Sequence, residues 1–281
     1  MIESLVSGLE VAVQTVLSAL QAQGGWILLL PFLATFVGAS LQRATGFGFG
    51  FIAGAGTLTV FNPIVAVTYT SIANMLLSGV SAWQLRGDVN RQVSWRLIAW
   101  MSVGILFGLL LIGIALRWWL QALALAVTMW AVYEGVRAIL KRRRLSHEQK
   151  STGAVIEATW FGTSIPGILS GFLGTCLGIP GPPIIGYLMK LGLGPYAIRA
   201  TLLAVFSFNS LSRLILFPLL FSMPTFDVTV MVIIVVMTVA GTFLGAYLGR
   251  VVPKDWFAYI NIAALSGSGL ILAFALANHF L

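Results

Sequence analysis

The stretch Gly171-Phe172-Leu173-Gly174-Thr175-Cys176-Leu177-Gly178-Ile179-Pro180-Gly181-Pro182-Pro183 decides how this chain folds. It lies inside a hydrophobic run, yet four glycines and three prolines in thirteen positions are too many for an unbroken helix. Broken backbone at membrane depth persists only where protein buries it or where it lines a cavity. A looser counterpart, Gly38-Ala39-Ser40-Leu41-Gln42-Arg43-Ala44-Thr45-Gly46-Phe47-Gly48-Phe49-Gly50, lies in the first half. Interrupted segments at matching places in two halves point to a transporter's substrate site.

Composition sets the class. Of 281 residues, 59% are hydrophobic and 9% charged, against about 25% charged in an ordinary soluble domain. Most stretches between charges reach the roughly 20 apolar residues that a span requires. The chain reads as a polytopic inner (plasma) membrane protein whose main partner is the lipid bilayer. The alternating pattern of a β-barrel is absent. The single cysteine, Cys176, excludes an internal disulfide, and His147 and His279 stand far apart, so neither metal nor cofactor is expected. The net charge of +8 reads as membrane topology and not as nucleic-acid binding. Residues 1–24 carry Glu3 and Glu10 and no basic start, which suits an amphipathic surface helix better than a cleaved leader.

The pattern predicts ten helical segments, near 26–41, 47–61, 64–84, 93–114, 118–139, 155–175, 182–191, 196–217, 228–249 and 256–278. If the basic run Lys141-Arg142-Arg143-Arg144 is cytoplasmic, fourteen of the sixteen Lys and Arg residues fall at cytoplasmic ends, all but Arg117 and Arg213. Both termini then lie on the periplasmic or extracellular side.

The halves also resemble each other. Gly104 and Gly108 recur as Gly241 and Gly245, and Asp88-Val89 recurs as Asp227-Val228. The expected fold is therefore all-α, with two inverted repeats of five segments each: 25–140 and 154–281, joined by a cytoplasmic basic linker at 141–153, after the N-terminal segment 1–24. Residues 182–191 reach only about 15 Å, half a bilayer core. Each broken pair reads as a re-entrant hairpin in preference to two spans. Five or three crossings per half are both odd, so the inversion survives either choice.

The broken Gly/Pro motif in each half, the following Pro63 and Pro195, the two Gly-x3-Gly pairs and the basic central linker resemble the TauE/SafE sulfite exporter family and its 4-toluene sulfonate uptake permease type. The resemblance runs from about Trp26 to Ala277. Members carry a turn such as Gly-x-Gly-Gly-Gly-Pro; this chain has Gly178-Ile179-Pro180-Gly181-Pro182-Pro183, with proline where a second glycine is usual. The resemblance implies export of sulfite, sulfoacetate or a related organosulfonate.

Each broken motif precedes a helix start, where free N–H groups and the helix dipole attract anions. The reading places a small anion, which the family resemblance makes a sulfur-containing one, among Thr45, Gly46, Gly48, Thr175, Gly178, Gly181 and Pro182. Arg43 is the sharpest candidate, because a guanidinium clamps a sulfonate by paired hydrogen bonds. The rival role for Arg43 is anchoring at the cytoplasmic interface. Arg213 interrupts an apolar run and reads as facing the anion path or snorkelling outward. Asn74 and Asn209 lie inside membrane segments, where their amides must be hydrogen-bonded. Glu134 and Glu157 are the acids available for proton coupling, against interface pairing with Arg137 or Lys150.

These residues predict a secondary transporter working by alternating access. The rivals are a proton-coupled importer of another anion and a non-transporting membrane subunit. No His-Glu-x-x-His motif, paired intramembrane aspartates or Ser-His pair suggests an enzyme. Homo-oligomerisation stays open.

Overall fold

The computed structural model describes residues 26–145, 158–221, 227–252 and 254–280. Their elements are α1 (Trp26–Thr45), α2 (Phe49–Val60), α3 (Pro63–Gln84), α4 (Arg91–Ile112), α5 (Arg117–Leu145), α6 (Ser164–Leu177), α7 (Gly181–Lys190), α8 (Pro195–Leu220), α9 (Val228–Val251) and α10 (Lys254–Phe280). The expectations for residues 1–24, for His147 and Glu157 and for the linker beyond Leu145 fall outside the described residues.

Among the described residues, six helices are long and apolar enough to cross a membrane: α3, α4, Arg117–Arg137 of α5, α8, α9 and Tyr259–Asn278 of α10. This is an all-helical, multi-pass membrane protein. The short helices are α2, α6 and α7, at 12, 14 and 10 residues.

Punctuation sets the boundaries. Pro63 follows Asn62, whose side chain accepts from the Ile64 N–H at 3.1 Å and caps α3. Asn90 caps α4 through the Val93 N–H, and Asp227 caps α9 through the N–H groups of Thr229 and Val230. Asn90, not Asp88, is thus the cap corresponding to Asp227. Three segments differ from expectation by four residues or more: the fifth runs on to Leu145 instead of ending near 139, taking the start of the basic linker into its helix. The sixth begins at Ser164 and not at 155, after a turn over residues 160–163 in which the Gly162 N–H donates to Thr159 Oγ1; Pro166 falls in the first turn of the helix. The first runs on to Thr45, so the break in the first motif narrows to Gly46–Gly48.

Helices pair in a regular scheme: α1 lies along α9, α4 along α6, α3 along α8 and α5 along α10. Small residues permit the first two contacts. A Cβ on Gly104 or Gly108 of α4 would press on the Ile168 and Phe172 carbonyls of α6. A Cβ on Gly241 or Gly245 of α9 would press on the Phe36 and Ser40 carbonyls of α1. These glycines serve close helix approach. The free carbonyls ending α2 are met by α5: Arg117 donates to Leu58 and Thr59, and Gln121 Nε2 to Leu58 at 3.1 Å. That contact accounts for one of the two arginines that break the charge rule.

Candidate functional site

Each broken motif makes a helix–turn–helix hairpin. In the first, α1 turns into α2 through Gly46 (φ +96°) and Gly48 (φ +110°). Side chains adopt that region only with strain, so glycine is required at both positions. Thr45 Oγ1 closes the turn, 2.8 Å from the Leu41 carbonyl and 2.9 Å from the Phe47 carbonyl. In the second hairpin, α6 ends at Gly178 (φ +73°), whose N–H donates to Gly174 O at 2.9 Å.

The two turns meet. A Cβ on Gly50 would overlap the Gly178 carbonyl, and one on Gly54 would lie 2.9 Å from the Leu177 carbonyl. The contact between hairpins is therefore backbone against backbone. A cleft remains between them, lined by Gln42, Phe47, Gly48, Gly50 and Phe51 from the first hairpin and by Gly178–Gly181 from the second. Asn74 of α3 and Phe206 of α8 complete it. The room for the centre of a water-sized sphere is about 10 Å³, which suits roughly one water.

The cleft sits at mid-length of α3, eleven residues after Pro63 and ten before Gln84. There α3 and α8 run antiparallel: Asn74 Nδ2 donates to Ser210 Oγ at 2.9 Å, and the Asn90 N–H to Thr201 Oγ1 at 3.1 Å. A buried network backs the cleft. Gln42 Nε2 donates to Asn74 Oδ1 (2.9 Å) and Ser78 Oγ (2.7 Å), and Ser78 Oγ donates to Asn74 Oδ1 (2.8 Å).

The helix starts facing the cleft are unequal. Helix α2 begins at Phe49 behind Gly48 with no side-chain cap, leaving the N–H groups of Phe49, Gly50 and Phe51 for an incoming acceptor. Helix α7 begins at Gly181, also without a side-chain cap, but Pro182 and Pro183 carry no N–H. The donors thus come mainly from the first hairpin, although the second has the more fractured sequence.

The remaining sequence candidates sit as follows. Gly46 is buried, and a Cβ on it would lie 2.8 Å from Arg199 Cγ. The Arg43 guanidinium turns to the end of α3, donating to Ser81 Oγ (2.9 Å) and Gln84 Oε1 (3.2 Å), and its backbone carbonyl accepts from Arg199. Thr175 donates to the Gly171 carbonyl at 2.8 Å and packs against Gly108 of α4. Pro182 is half-buried at the second position of α7 and outside the lining. Arg213, 1% exposed, donates to the Gly174 carbonyl and to Ser210 Oγ (3.2 Å). Asn209 is fully buried against Gly174. Glu134 is half-exposed on α5, with Arg137 at 3.7 Å.

Sequence reasoning missed Gln42, Ser78, Ser210 and Phe206. Spacing carries the signal for one of them: Ser78 follows Asn74 by four positions, one helical turn. Among the described residues, no group of three or more His, Cys, Asp or Glu side chains converges to hold a metal ion.

Residues 30–272 match the family model described as Sulfite exporter TauE/SafE. The chain is 31% identical to the "Probable sulfite/organosulfonate exporter TauE" of Cupriavidus necator over 200 residues, 66% of this chain and 72% of that protein. No solved structure matches.

Proposed function

Because this chain belongs to the TauE/SafE sulfite exporter family, a family of membrane transporters, we propose that it exports a small sulfur-containing anion from the cytoplasm by alternating access. Sulfite, sulfoacetate and related organosulfonates are the candidate substrates. The observation that carries the reading is the meeting of two hairpin turns at mid-length of α3, around a buried cleft that faces the uncapped start of α2 and the Asn74 amide. Neutral donors and an uncapped helix start favour an anion without binding it so tightly that it cannot leave. Room for about one water is too little for an oxyanion of four or more heavy atoms. The cleft is then an occluded form, and the hairpin tips must part on one side or the other.

The helix pairing supports an inverted repeat. Exchanging α1 with α6 and α4 with α9 turns the α1–α9 pair into the α6–α4 pair. The glycine contacts follow the same exchange, Gly104 on Ile168 matching Gly241 on Phe36. Such pseudo-symmetry gives two conformations of similar energy that open to opposite sides. With the basic linker in the cytoplasm, an anion leaving a negative interior gains about 2.3 kcal/mol per charge per 100 mV. Export then needs no coupling ion, and Glu134 lies outside the cleft lining.

Proteoliposomes loaded with labelled sulfite or sulfoacetate test the reading. Efflux should exceed that of protein-free vesicles, accelerate with an interior-negative potential and ignore a pH gradient. No efflux of any sulfur anion would overturn it. Strict dependence on a pH gradient would favour the proton-coupled alternative.

A further inference from the structure

Arg213 is the largest fully buried side chain among the described residues. Its guanidinium lies within the membrane-spanning helix α8, and its Nε has no hydrogen-bond partner. One turn earlier on the same face, Asn209 is 0% exposed, and neither Oδ1 nor Nδ2 has a partner. Both side chains converge on Gly174. Arg213 donates to its carbonyl, and a Cβ there would lie 2.5 Å from Asn209 Oδ1. The absent side chain of Gly174 leaves that space to the amide. Between this group and the central cleft stands the tip of the second hairpin: a Cβ on Gly178 would lie 3.7 Å from Arg213 Nη1.

Among the described residues no carboxylate pairs with Arg213. Among the described residues the ion pair is Arg137 with Glu134, and the Asp227 carboxylate caps α9. A buried cation without a counter-ion is unfavourable, and the carbonyls ending α6 offset only part of that. An unfilled buried amide adds to it. Orphaned donors and a lone cation at one place match what an oxyanion supplies: negative charge and several acceptor oxygens in a small volume.

Building on the anion-export reading, we propose that Arg213, Asn209 and Ser210 form a second anion subsite past the Gly178 tip. There the guanidinium is the resident counter-charge of a compact oxyanion head, a sulfonate or sulfite. One anion oxygen accepts from Nε and another from Nη2, while Asn209 Nδ2 donates to the same head. The substrate reaches the subsite when the Gly178–Gly181 tip withdraws. The competing role, a structural clamp between α6 and α8, makes the opposite prediction on removal of the charge.

Asn209→Asp separates the two. It changes one atom and places a carboxylate one turn from Arg213, so the protein would carry its own counter-ion. In detergent, the melting temperature of N209D should rise, and the shift induced by methanesulfonate or sulfite should vanish, with apparent affinity down at least about tenfold. Arg213→Gln should lose affinity by a similar factor while melting within a few degrees of wild type, and Arg213→Lys should recover part of it. Wild-type affinity in N209D overturns the subsite, even if R213Q fails to fold. Loss of melting temperature in R213Q together with wild-type affinity in N209D assigns Arg213 to the clamp. If the wild-type protein neither binds nor transports any sulfur anion, the export reading falls with the subsite. If it transports and N209D binds equally well, only the subsite falls.

Discussion

The side-chain amide of Gln42 donates to the side-chain oxygen of Asn74 at 2.9 Å, tying α1 to α3 at the depth where the two hairpin turns meet. The bond joins residues 32 apart in sequence, and both line the cleft. Asn74 in turn reaches Ser210, so one buried chain of hydrogen bonds links α1, α3 and α8.

Gln42→Leu breaks that chain without changing side-chain volume much. A hydrogen bond inside a membrane protein contributes about 0.6 kcal/mol, at most about 1.7. The variant should therefore melt only a few degrees lower while losing most anion-induced stabilisation. Thermal melts with and without sulfite check both halves. An unchanged ligand shift would remove Gln42 from the site.

Gly50→Ala tests the meeting of the hairpins. The added methyl would overlap the Gly178 carbonyl, and a carbonyl cannot step aside as a flexible side chain does. Overpacking of this kind costs about 1–3 kcal/mol. Efflux from proteoliposomes should be abolished, with a clear drop in melting temperature. By contrast, Gly186→Ala in α7 meets nothing within 4 Å and should transport normally.

Pro182→Ala restores an N–H to the first turn of α7. A charge at a helix N-terminus is worth about 0.3–1 kcal/mol, so anion affinity should improve about two- to fivefold. Titration of the purified protein with sulfite measures this directly. No gain would mean that the start of α7 does not face the anion.

Arg43→Ala distinguishes binding from gating. The guanidinium holds the end of α3 through Ser81 and Gln84, and Ser81 lies seven residues from Asn74 along that helix. Efflux should slow about tenfold, the equivalent of roughly 1.4 kcal/mol on a barrier, while anion affinity stays within about twofold. A matching loss of affinity would put Arg43 on the anion itself.

Much of this was legible in the sequence. Glycine and proline punctuate the chain strongly enough that nine of the ten helices begin within two residues of expectation. The sixth does not, because the apolar residues around Ile165 hide the turn at 160–163 that precedes the helix. The glycine-rich turns were equally readable, since left-handed backbone leaves little choice of residue. The polar network was not. Gln42 and Arg43 are neighbours in sequence but about 100° apart around a helix, so one enters the cleft and the other reaches the end of α3. Charge drew attention to Arg43, whereas the uncharged amide beside it lines the cleft. The donor imbalance between α2 and α7 was written in Pro182-Pro183, but it matters only once both helix starts are seen to face one cleft.

The capping of α2 by α5 has a mechanical consequence. Pulling α2 away from the cleft breaks three hydrogen bonds that Arg117 and Gln121 make to its last carbonyls. The end of α7 closes on itself, Leu191 N–H to Leu188 O at 3.2 Å, with no comparable tether from another helix among the described residues. Two hairpins of similar outline therefore differ in stiffness. On the export reading proposed above, the first hairpin, which bears the donors, is then the one expected to stay fixed, and the second, poor in donors, the one expected to move.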